Sequence, residues 1–178
     1  MQYENKSSKF IWENIEEGRK NLGHSIPVLV YHLFQYTLKD ILTKEYDEET
    51  ACRLYWRAGH LAGTEFAKNI LDLSSGIDFF VTNLTNKLKE FGIGILHIEE
   101  VDLKSFSFTI TVSEDLDDLG LLISGENVND YDEGFIAGIF EEYGDHQFNV
   151  KNRLLGNKRQ NLLMLSKGVV KLEVMEDG

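Results

Sequence analysis

Cysteine, proline, positive charge and long apolar runs are all scarce in this chain. Cys52 is the only cysteine, so neither an internal disulfide nor a multi-cysteine zinc site can form within it. A reducing, cytoplasmic setting is the expected one. Pro27 is the only proline, and with no low-complexity tract the sequence offers no linker. Lysine and arginine number 18 against 30 acidic residues, a net charge of −12. A field of that sign repels phosphate backbones and anionic headgroups, so nucleic acid and membrane surfaces are disfavoured as partners. No apolar run approaches the ~18 residues of a membrane span. The opening "MQYENKSSKF" also lacks the apolar core of a signal peptide.

The 178 residues suit one domain with a sizeable core. Residues 1–22 read as an arm or short helix, with Phe10, Ile11, Trp12 and Ile15 as possible anchors. Residues 23–178 read as a single domain. In "HSIPVLVYHLFQYTLKDILTKE", Ser25 can cap a helix with Pro27 in its first turn. Val30, Leu33, Phe34, Leu38, Ile41 and Leu42 then recur at threes and fours, giving one apolar face. "YDEETACRLYWRAGHLAGTEFAKNILDL" reads as a second helix, with Asp47 as N-cap. Its expected buried stripe runs through Ala51, Leu54, Tyr55, Ala58, Leu61, Ala62, Phe66, Ile70 and Leu71. "GIDFFVTNLTNKLKEFG" is a third helix, stopped by Gly92.

The pattern then changes. "IGILHIEEVDL" and "SFSFTITVS" are strands with a turn near Lys104-Ser105. Phe106, Phe108, Ile110 and Val112 alternate with polar residues, so one face is buried. An acidic loop, "EDLDDLGLLISGENVNDYD", leads to a fourth helix, "DEGFIAGIFEEYG". "HQFNVKNRLL", "NLLMLS" and "VVKLEVM" are further strand candidates. Helices, a strand pair, a helix and more strands predict an α+β fold, an antiparallel sheet with helices packed on one face.

The second helix carries Gly59 and Gly63 four apart, although each interior glycine costs about 1 kcal/mol relative to alanine. Gly134 and Gly138 repeat the spacing in the fourth helix. Bare faces of this kind let another backbone approach closely. They serve close helix packing, a pocket floor or a dimer interface, and these readings are compatible.

These same segments resemble the 4-vinyl reductase domain family. "RLYWRAGHLAGTEFA" resembles its arginine–tyrosine, glycine-x-x-x-glycine helix, and "NLGHSIPVLVYHLF" its opening segment. "GIGILHIEEVDL" is similar to its first strand after the third helix, and "DEGFIAGIFEE" to its second glycine-spaced helix. "VKNRLLGNKRQNLLML" is similar to its closing strand pair around Gly156. The resemblance spans roughly residues 20–166. It implies the α+β ligand-binding fold shared with haem nitric-oxide sensors and TRAPP subunits, in small-molecule-binding modules that are often dimers.

Two family features are not implied here. The family's zinc ligands fall on Asn129, Asn149, Asn152 and Gln160, all neutral amides and poor ligands beside thiolate or carboxylate. No metal and no cofactor is therefore expected. The His and Trp that hold a phenol hydroxyl in aromatic-responsive sensors have no counterpart at the matching strand positions. At this length no ATPase or DNA-binding domain is expected beside the module.

His60, His32 and His97 have no nucleophile at a recognisable spacing, and each reads first as a hydrogen-bonded or surface histidine. Cys52, near a helix N-terminus, reads first as an inert thiol. "EDLDD" lacks the spacing of a calcium loop. If a pocket exists, Trp56, His60, Phe79 and Phe106 are the candidate contacts. The expected function is a stand-alone, non-enzymatic, homodimeric module that binds a small apolar molecule as sensor or carrier. The alternatives are an adaptor subunit with a filled pocket, and an accessory protein or reductase in tetrapyrrole vinyl-group metabolism. For the last, the sequence has no nucleotide-binding glycine loop.

Overall fold

Four helices and four strands are seen in a computed structural model that describes residues 21–23, 25–105, 107–116, 130–154 and 161–167. The order is α1 (Val28–Glu45), α2 (Glu48–Ile70), α3 (Ile77–Glu90), β1 (Ile95–Asp102), β2 (Ser107–Ser113), α4 (Asp130–Gly144), β3 (Phe148–Leu154) and β4 (Asn161–Lys167). The arm expected over 1–22 falls almost wholly outside the described residues, as does the last strand candidate, "VVKLEVM".

Local chemistry sets most boundaries. Asp47 accepts the Thr50 N–H at 2.7 Å and caps α2. Gly92, at φ +66, follows the end of α3 in the left-handed conformation that stops helices. The start of α1 differs from expectation. Pro27 itself is the N-cap, with no side-chain cap bond, and the helix begins one residue later. Proline's fixed φ suits that entry, so a hydroxyl cap from Ser25 is not used.

The sheet is antiparallel throughout, in the order β1-β2-β4-β3. β2 and β4 pair across the sequence gap that holds α4 and β3. Residue alternation assigns one face to the core: Leu96, Phe108, Ile110, Val112, Leu163 and Leu165 are all buried. Phe80, Leu84 and Leu88 from α3 and Ile136, Ile139 and Phe140 from α4 close over that face. Aromatic rings fill its centre, with Phe108 and Phe140 centroids 4.9 Å apart and Phe80 edge-on to Phe140 at 5.6 Å. The fold is α+β, with helices on one face of the antiparallel sheet.

The buried line of α2 differs from the one its apolar side chains suggest. It runs through Ala51, Tyr55, Gly59, Gly63, Phe66 and Ala67. Leu61 is 60% exposed and Ala58 is exposed as well. Glycine has no hydropathy to announce it, yet the close approach of another backbone buries both Gly59 and Gly63.

Candidate functional site

α2 and α4 form the centre of the molecule. A Cβ at Gly59 would collide with the carbonyl oxygen of Tyr131, and one at Gly63 with that of Phe135. From the other side, Gly134 faces the carbonyl of Trp56 and Gly138 that of His60. All four contacts are far inside ordinary van der Waals distance for a side chain. The matched order of the pairs shows that the two helices run in the same direction. The four glycines thus lie together in one backbone-to-backbone crossing within the chain.

The crossing brings His60 beside the end of α4. His60 Nε2 lies 2.7 Å from Glu141 Oε2. A carboxylate only accepts, so this nitrogen carries the hydrogen and donates it. The other oxygen, Glu141 Oε1, accepts the Phe148 backbone N–H at 2.9 Å. One carboxylate therefore ties α2 and α4 to the start of β3. Trp56, one turn before His60, stacks on its imidazole with centroids 5.1 Å apart and planes 27° from parallel.

A shallow cleft of about 320 Å3 opens at this corner. His60 and Thr64 form one wall, and Glu141, Glu142, Asp145 and His146 the other. Lys68 pairs with Glu142 at 3.3 Å. The lining brings three carboxylates together with hydrogen-bonding side chains, although its exposed surface also includes their apolar carbons. Among the described residues no group of three or more histidine, cysteine, aspartate or glutamate side chains is placed to hold a metal ion.

The candidate contacts are distributed unevenly. Trp56 and His60 touch. Phe79 stands on the outward side of α3, 55% exposed, while Phe80 beside it is fully buried. Phe106 lies outside the described residues. Of the four amides expected at the family's zinc positions, Asn149 and Asn152 fall on β3, opposite Ser166 and Leu163 of β4. Asn129 and Gln160 lie outside the described residues. Two other histidines have partners of their own: His32 Nε2 meets the Leu116 carbonyl, and His97 lies near Ser113 Oγ at 3.3 Å.

Cys52 sits in a second polar cluster, where α1, α2 and the start of α4 meet. Lys39 Nζ pairs with Asp130 Oδ2 at 3.2 Å. Burial, and then a hydrogen bond to Asp130, push the Cys52 thiol up to about 11 from 9.0. A thiol held protonated is a poor nucleophile. Neither Glu141 nor Asp130 was signalled by the sequence. Each meets its partner across some eighty residues, and no spacing rule reaches that far.

No known family profile matches the chain, and no curated protein does. Solved structures do match. A vinyl-4-reductase family protein from Methanocaldococcus jannaschii is 19% identical, with a TM-score of 0.58 over 95% of this chain and 99% of that one. The phenol-responsive sensory domain of the transcription activator PoxR, solved with phenol, is 12% identical, with a TM-score of 0.64 over 85% and 79%. A trafficking protein particle complex subunit 3 from Naegleria fowleri, covalently bound to palmitic acid, is 11% identical, with a TM-score of 0.57 over 80% and 98%. This chain shares their fold. The glycine-spaced helices, on which the sequence resemblance rests, are part of that shared fold. In that fold, the two segments with the most recognisable motifs are α2 and α4, the helices that cross.

Proposed function

We propose that the chain is a small-molecule-binding module for an apolar ligand, working as a homodimeric cytoplasmic sensor or carrier without the family zinc site. The supporting observation is the shared fold. It extends over most of the chain, and two of the structures that share it carry phenol or palmitic acid. Trp56 stacks on His60, and His60 lines a cleft that would receive the polar end of a ligand. The proposal involves no bond-making step.

Native mass spectrometry of freshly purified protein, followed by denaturation and extraction, tests this reading. The expected result is a dimer with a discrete, releasable apolar mass and no zinc. Stoichiometric zinc would mean that the four amide positions are misassigned. Protein with no added mass would favour the second reading, an adaptor subunit whose pocket is filled. One observation supports that alternative: Phe80, Phe108, Phe140 and Phe148 already occupy the space between helices and sheet, each at most 5% exposed.

A further inference from the structure

Three contacts fix the ring of His60. Nε2 donates to Glu141 Oε2 at 2.7 Å, and Glu141 is itself held through Oε1 by the Phe148 N–H at 2.9 Å. Trp56 covers one face of the imidazole. With the hydrogen on Nε2, the neutral ring keeps a lone pair on Nδ1 and can only accept there. Among the described residues Nδ1 has no hydrogen-bond partner. The His60 side chain is 31% exposed and lines the cleft. A ligand that reaches this ring therefore meets an acceptor whose tautomer the protein has set in advance, as an outer carboxylate sets that of a ligating histidine.

We propose that this corner selects its ligand by a protonated amine at the polar end, donating to His60 Nδ1, with Glu141 as the positioning residue that keeps Nδ1 an acceptor. The inference rests on the ligand-binding reading and names the head group. The surrounding charge has the matching sign. Glu141, Glu142 and Asp145 line the cleft, and no lysine or arginine does. Lys68, outside the lining, answers Glu142 alone. The chain as a whole carries −12, so its field also draws in cations. A carboxylate end would face a lone pair and like charge. An alcohol end could donate to Nδ1 but would gain nothing from the charge.

The test is calorimetry on the full chain with decylamine, decan-1-ol and decanoate, each below its micelle-forming concentration. At pH 8 an ordinary histidine is neutral and an alkylamine charged. Decylamine is expected to bind at least about tenfold tighter than decanoate and about threefold tighter than decanol, with the preference shrinking as salt is added. Nitrogen NMR supplies a readout that a purely structural role would not move. His60 Nδ1 should resonate as an unprotonated ring nitrogen in the free protein and shift when decylamine is added. Glu141→Gln should mix the two tautomers and weaken decylamine binding about fivefold. If that variant does not fold, Asp145→Asn replaces it. Asparagine tolerates the positive φ of 51 at this position, and the change should weaken decylamine while leaving decanol unchanged. Decanoate or decanol binding as tightly as the amine overturns the head-group selection and leaves a ligand-binding module intact. Amine binding that leaves Nδ1 unmoved, or a free protein with Nδ1 protonated, overturns the role of His60. Binding of none of the three overturns the proposal, and the mass extracted from purified protein still decides the ligand-binding reading separately.

Discussion

α1 and the α2–α4 pair make opposite uses of apolar and small residues. α1 carries four leucines, two valines, an isoleucine and a phenylalanine, and none of its residues is buried. α2 and α4 carry glycines at the centre of their contact, and bury them completely enough that a Cβ has no room. Hydrophobic periodicity says that a helix has an apolar face, without saying what covers it. Glycine spacing says less about burial and more about partnership, because a bare face is useful only where another backbone comes close. Here the second glycine-spaced helix of the same chain supplies that backbone.

The contrast is broken most forcefully at the crossing. Gly63→Val or Gly138→Val drives branched carbons into a carbonyl on the facing helix, and neither backbone can yield cheaply. A loss of about 4 kcal/mol is expected, beyond the usual range for overpacking and comparable to a small domain's whole stability. Leu29→Ala on α1 should stay within about 0.5 kcal/mol in the monomer. Urea titration at low protein concentration compares the two, and equal losses would remove the distinction between the helices.

The neighbouring pair Phe79 and Phe80 gives a second comparison within one helix. Phe80→Ala empties the aromatic core and should cost about 3–5 kcal/mol. Phe79→Ala removes a ring already half in water and should cost less than about 0.5 kcal/mol. A large effect at Phe79, read from the same denaturation curves, would point to a partner or ligand on the outward side of α3.

The helix starts provide a smaller test. α2 has a side-chain cap at Asp47, and α1 has none. Asp47→Ala is expected to cost about 1 kcal/mol. Ser25→Ala, at the residue that the sequence favoured as a cap for α1, should change thermal stability too little to detect.

Where α1 meets the crossing, Cys52 gives the mildest effect. With its thiol pushed up to about 11, its thiolate fraction at pH 8 is about 100-fold below that of an ordinary cysteine, and alkylation by iodoacetamide should slow accordingly against the unfolded chain. Because the folded value is raised, the associated stability is present below 9.0 and is lost as the pH rises through 11. Asp130→Asn should speed alkylation, and an unchanged rate would show that Asp130 does not hold the thiol.

Most of the fold was legible because its signals are local. Asp47 caps as its position suggests, Gly92 stops its helix, and the alternation of Phe108, Ile110 and Val112 names the buried face of β2. The candidate site was legible only in part. Trp56 and His60 are one turn apart, so their adjacency follows from the helix. Glu141 is the residue that fixes His60, and only the crossing brings it there. The exposure of Leu33, Phe34 and Ile41 was equally hidden, since periodicity marks an apolar face in the same way whether the chain or a partner covers it.

The glycine ladder also has a mechanical consequence. Sliding α4 along α2 by a single residue would set a Cβ against a carbonyl, and the next comparable register lies four residues away, about 6 Å along the axis. The crossing therefore behaves as a ratchet with widely spaced stops rather than as a sliding bearing. Any signal that passes through this molecule has to move the two helices as one lever, with the His60 corner carried along at its end.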